Sequence, residues 1–71
     1  METKWVHLQI KGIVGWTTVM VPQRVTVEQF KQLIGLDQQS LLTVPAWGFA
    51  LPDQAVLDSF VRNFDTVYVE L

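Results

Sequence analysis

Thr26-Val27-Glu28-Gln29-Phe30-Lys31-Gln32-Leu33-Ile34-Gly35 is the stretch that decides the fold. A threonine followed three residues later by a glutamine forms a capping box. The hydroxyl of Thr26 takes the backbone N–H of Gln29, and the Gln29 side chain reaches back to the N–H of Thr26. Val27, Phe30, Leu33 and Ile34 recur at helical spacing and mark one buried stripe. Gly35 stands where a helix ends in the left-handed conformation. The spacing predicts a helix over about Val27 to Ile34. A helix of about two turns does not persist alone in water, so this one must be held by packing on a sheet.

On both sides of the helix the hydrophobic period changes to two. Val6, Leu8 and Ile10 alternate with His7 and Gln9, the pattern of a half-buried strand. Gly12 and Gly15 flank a hairpin loop, and Trp16 to Val21 reads as the return strand. In it Val19 and Val21 share one face, and Trp16, Thr18 and Met20 the other. Pro22 removes a ladder donor and closes the strand. Beyond the helix, Leu41 to Val44 is a short strand ended by Pro45, and Phe49 to Leu51 a brief edge strand. Ala55 to Val61 has the spacing of a single helical turn, and Thr66 to Leu71 alternates as the last strand. This order predicts an α+β fold: one helix crossing one face of a mixed sheet of four to five strands. The first and last strands are neighbours and parallel.

With 71 residues the chain holds one domain. It has no cysteine, so disulfides, cysteine-based zinc sites and thiol catalysis are excluded, and the lone His7 cannot build a metal cage. The apolar core must therefore supply the stability, and the apolar share of 49% is enough to form one. A net charge of −2 without a basic stripe argues against nucleic-acid binding. No apolar run is long enough to span a membrane. Met1-Glu2-Thr3-Lys4-Trp5 lacks the apolar stretch of a secretory signal, so a cytoplasmic location is expected.

The layout resembles the ubiquitin-like β-grasp family, and particular residues carry the likeness. Val6-His7-Leu8-Gln9-Ile10-Lys11 is similar to ubiquitin's opening strand, and Gly15 falls at the hairpin tip. Thr26-Val27-Glu28-Gln29-Phe30-Lys31-Gln32-Leu33-Ile34 matches the family's Thr-Ile-Glu-x-Val-Lys-x-x-Ile helix. Asp37-Gln38-Gln39-Ser40-Leu41-Leu42 is similar to its Asp-Gln-Gln-Arg-Leu-Ile. Leu57-Asp58-Ser59-Phe60-Val61 and Asp65-Thr66-Val67-Tyr68-Val69 resemble its closing turn and last strand. The resemblance covers about Lys4 to Leu71 of a single domain spanning residues 1–71. It implies that Phe30 and Ile34 face the sheet near Leu8, Val19 and Val67. Modifiers and sulfur carriers of this family act through a terminal Gly-Gly. Here the last residues are Val69-Glu70-Leu71, so the resemblance implies an unconjugated interaction module. The alternative is a modifier, or one lobe of a tandem modifier, whose Gly-Gly lies beyond Leu71. Lys4, Lys11 and Lys31 offer the side-chain amines that a further modifier would need.

Nothing in the sequence reads as catalytic. Ser40 and Ser59 have no surrounding motif, Asp58 and Asp65 read as solvated charges, and His7 alternates outward. Gly12-Ile13-Val14-Gly15 lacks the lysine and hydroxyl of a phosphate loop and precedes no helix. No cofactor, metal or small-molecule substrate is expected; the expected partner is another protein or another domain of the same chain. The resemblance places the partner surface on the sheet face away from the helix. The matching positions are Ile13, Leu42, Tyr68 and Glu70, with Trp47 in the adjoining loop. Glu70 puts a charge where the family carries an aliphatic residue. Trp47 either extends this patch or folds back on Leu42 or Leu51, and Phe49 is expected to be buried. Trp5, Trp16 and Met20 form a second candidate patch on the outer side of the hairpin, unless Trp5 simply packs across Met20.

Overall fold

The computed structural model describes residues 3–71; Met1 and Glu2 lie outside the described residues. Strand β1 (Lys4–Ile10) turns through the hairpin loop into β2 (Thr17–Val21). Helix α1 (Val27–Ile34) follows, then β3 (Leu41–Thr43), one turn of 3-10 helix at Leu57–Ser59, and β4 (Thr66–Glu70). The sheet order is β2-β1-β4-β3, antiparallel at both outer pairs and parallel between β1 and β4. The expected fifth strand at Phe49 to Leu51 is reduced to one bridge, Thr43 to Ala50. Leu51 still donates its N–H to the Leu42 carbonyl at 2.8 Å. Pro52 then has no N–H to continue the ladder.

The helix has the bounds its spacing predicts. Thr26 Oγ1 accepts from Gln29 N–H at 3.1 Å and Gln29 Oε1 accepts from Thr26 N–H at 2.9 Å, which completes the capping box. Gly35 sits at φ 77° and ends the helix. Val27 and Phe30 are fully buried, and Ile34 packs partly against the same core, which includes Leu8, Val67 and Val69 and is flanked by Val19. Leu33 is a correction. At 100° per residue it stands about 110° from the centre of the buried face, so it is exposed. Its expected place in the stripe belongs to Lys31.

Lys31 is buried, and its ammonium makes two hydrogen bonds. It donates to the Gln38 carbonyl at 3.1 Å and to Asp53 Oδ1 at 2.8 Å. The same loop holds the helix start: Glu28 N–H donates to the Asp53 carbonyl and Val27 N–H to the Ala55 carbonyl. A buried charge is tolerable only while its partners stay in place. Asp53→Ala should therefore cost about 2–3 kcal/mol, since it strands the ammonium, while Lys31→Met should be close to neutral. Urea unfolding of the two variants beside the parent checks this; equal losses would show that the ion pair is not what matters.

Candidate functional site

β4 places Val67 and Val69 against the helix and Tyr68 and Glu70 on the opposite, outer face. Paired residues on neighbouring strands share a face, so the pairing shows what lies beside them. Thr43 stands opposite Tyr68 and Leu41 opposite Glu70. On the β1 side, Gln9 stands beside Tyr68. The hairpin tip closes this area from above, bringing Ile13 and Gly12 over β4. The result is an open groove of about 380 Å³ lined by Ile13, Thr43, Tyr68, Lys11 and Glu70, among others.

The groove is apolar and polar in alternation. Ile13 and Tyr68 are about half exposed, at 57% and 45%. Lys11 Nζ and Glu70 Oε1 lie 3.4 Å apart across one end, both largely in solvent. An exposed pair of this kind contributes about 0–1 kcal/mol and opens readily for a competing charge. The Glu70 charge is thus already met within the chain. Of the three lysines, only Lys11 has a free approach: Lys31 is buried, and Lys4 donates to the carbonyls of Asp58 at 2.7 Å and Val61 at 2.9 Å.

Three of the five expected patch residues, Ile13, Tyr68 and Glu70, come together here. Leu42 does not: it is fully buried. It pairs with Val69, whose side chain faces the helix, so Leu42 must face the helix too. The outer position belongs to its neighbours Leu41 and Thr43. The likeness at Asp37 to Leu42 runs one residue out of phase at this strand, with Ser40 taken into the interior. A signal for this was present. Leu42, Thr43 and Val44 alternate apolar–polar–apolar, which puts Leu42 and Val44 on one buried face.

Trp47 is also placed elsewhere. Its indole N–H donates to the Phe60 carbonyl at 2.7 Å, and its ring meets Phe60 edge-on with centroids 5.4 Å apart. It lines a separate depression with Phe60, Arg62 and Asp65. Phe49, expected to be buried, is 48% exposed and leans on Trp47. Asp58, expected in free solvent, is half-buried, with Oδ1 3.5 Å from Lys4 Nζ, an ion pair without hydrogen-bond geometry.

The second patch is larger than the sequence indicated. Trp5 stands directly opposite Met20, as cross-strand packing requires. Behind them His7 stacks on Phe64 with centroids 5.9 Å apart and meets Trp16 edge-on at 6.2 Å. His7 Nδ1 and Thr18 Oγ1 share a hydrogen bond of 3.0 Å. Phe64 reaches this spot from a turn at φ 68°, and its N–H donates to the Trp5 carbonyl. Periodicity cannot show such a contact, because Phe64 belongs to no strand.

Among the described residues, no three His, Cys, Asp or Glu side chains gather as metal ligands would. No helix among them is long and apolar enough to cross a membrane. Neither a family model nor a curated protein matches the sequence. Solved structures do. The solution structure of the ubiquitin-like domain of an Arabidopsis thaliana protein is similar with a TM-score of 0.77 at 20% identity, over 97% of this chain and 77% of that one. A ubiquitin from Caldiarchaeum subterraneum is similar with a TM-score of 0.71, also at 20% identity, over 97% of this chain and 92% of that one. With the helix packed across a mixed four-stranded sheet in the order β2-β1-β4-β3, the chain has the ubiquitin-like β-grasp fold.

Proposed function

We propose that the domain is a non-catalytic protein-binding module that presents the outer face of its sheet to another protein or to another domain of its own chain. The observation that supports this most directly is the groove at the hairpin tip. Half-exposed Tyr68 stands there on β4 and half-exposed Ile13 on the hairpin loop beside it, ringed by Thr43, Lys11 and Glu70. Side chains held on a rigid sheet lose little entropy on docking. A tyrosine serves such a surface well, since its ring supplies apolar area and its hydroxyl a hydrogen bond. No arrangement of nucleophile, base and oxyanion donors accompanies them, so recognition is the role that these residues fit.

The Lys11–Glu70 pair sets the selectivity. A partner must supply its own charge for one of them or leave the pair closed, and an uncharged apolar surface gains little there. Glu70→Val should raise affinity for amphipathic helical peptides of the ubiquitin-receptor kind by up to about tenfold, the worth of one more buried branched side chain. Tyr68→Ala should weaken binding of the same peptides to Glu70→Val by about tenfold or more, with the unfolding midpoint nearly unchanged. Titrating the isotope-labelled domain and following its amide shifts gives both results. Shifts confined to the helix surface around Glu28 and Gln32 would refute the assignment.

A further inference from the structure

The two edges of the sheet differ. On the β3 side the ladder is covered, because Leu51 N–H bonds to the Leu42 carbonyl and Ala50 bridges Thr43. On the β2 side it is bare. The backbone direction follows from the pairing of β1. His7 N–H donates to Asp65, Lys11 N–H to Val69, and the Trp5 carbonyl accepts from Phe64, so the odd-numbered residues of β1 face β4. Val6 and Leu8 therefore turn their N–H and C=O groups toward Val19 and Thr17 of β2. Thr18 and Met20, between and beside those, turn theirs outward. Among the described residues, no partner meets them.

Such edges are usually guarded by a lysine, a proline within the strand or a bulge. This one has none of these. From Ile13 to Gln23 there is no charged residue, and Pro22 comes only after the strand has ended. The side chains on the outer face of the edge carry no charge, and two of them are apolar and open: Trp16 is 68% exposed and Met20 48%.

We infer that this edge pairs with a second copy of the chain, antiparallel and centred on Thr18. In that register Thr18 stands opposite its own counterpart, and Trp16 opposite Met20 of the second copy. Thr18 is an outward-facing backbone in both copies, so the central pair can exchange both N–H···O bonds, and Met20 turns its own outward beside it. The two-fold axis sets an indole against a thioether on either side of the centre, a favourable sulfur–aromatic contact. Trp5, already opposite Met20, backs each contact. On the other face, half-buried Val19 meets Thr17 of the second copy. A two-fold interface must be complementary to itself, and a strand with no charge never faces a like charge across the axis. The alternative centre on Val19 would put Pro22, which lacks an N–H, opposite Trp16, and so would lose a bond. The groove at the hairpin tip and β4 stays open in this dimer.

The test is the solution mass of the full chain by sedimentation, from about 5 μM to about 1 mM, the range where a small interface of this kind is populated. The expected result is a reversible monomer–dimer equilibrium in the parent. Met20→Lys and Thr18→Lys should be monomeric throughout while melting as the parent does at low concentration. Thr18→Cys should also cross-link under mild oxidation. Residues in a hydrogen-bonded antiparallel pair have Cα atoms about 5.5 Å apart, within disulfide range. Val14→Cys, at the open hairpin tip, serves as the control for random collision. A parent that stays monomeric at about 1 mM, a dimer that survives Met20→Lys, or Thr18→Cys linking no faster than Val14→Cys would each overturn the inference. None of these results bears on the peptide titration, because Tyr68 and Ile13 lie outside the pairing.

Discussion

Phe30→Ala is expected to remove about 3–5 kcal/mol of stability, the usual cost of emptying a fully buried aromatic site. Phe30 is the largest completely buried side chain of the domain, and it joins the helix to both central strands. A domain of this size has about 4–10 kcal/mol in all, so the variant should lose about half of its stability and unfold at a much lower urea concentration. No other device compensates, since the chain has no cysteine and no gathered metal ligands among its described residues. Far-ultraviolet circular dichroism during a urea titration reads the effect directly. An unchanged midpoint would contradict the packing of helix on sheet.

Leu42→Ala should cost about 2–5 kcal/mol, while Leu41→Ala, one residue earlier, should cost less than about 1 kcal/mol. The two residues have the same chemistry, so the contrast measures the phase of β3 and nothing else. Leu42 is fully enclosed opposite Val69, and Leu41 is half exposed opposite Glu70. The difference extends to binding. Leu41 flanks the groove residues, so its loss should register in peptide affinity, whereas any effect of Leu42→Ala on binding should follow its loss of fold. Equal destabilisation by the two variants would mean that the strand pairs in another register.

The helix was legible because its signals are local. A capping box, a stripe at helical spacing and a terminal glycine all act within a few residues, and the structure shows the cap at Thr26, the stop at Gly35 and the stripe at Val27, Phe30 and Ile34, without Leu33. The paired alternation of β1 and β4 was legible for the same reason: each strand has one apolar and one polar face. β3 offered two adjacent leucines, and only one of them can face inward. Family likeness suggested one answer, and pairing with Val69 imposed the other. Lys31 was absent from the expected stripe because charge argues for solvent wherever no partner is visible. Its partners, Gln38 and Asp53, lie 7 and 22 residues along the chain.

By itself the sequence determined the α+β fold class, the bounds of its helix, the face of each long strand and the reliance on an apolar core. These follow from covalent neighbours and from the periods of helix and strand, which no distant contact can alter. Only the tertiary structure decided which leucine of β3 is buried, that Trp47 seals against Phe60, and that Phe64 covers His7. It alone decided that Lys11 pairs with Glu70 at the mouth of the groove. Each of those outcomes depends on a residue far along the chain arriving at the right height on the sheet, and the register between strands, not the spacing within one, sets that height.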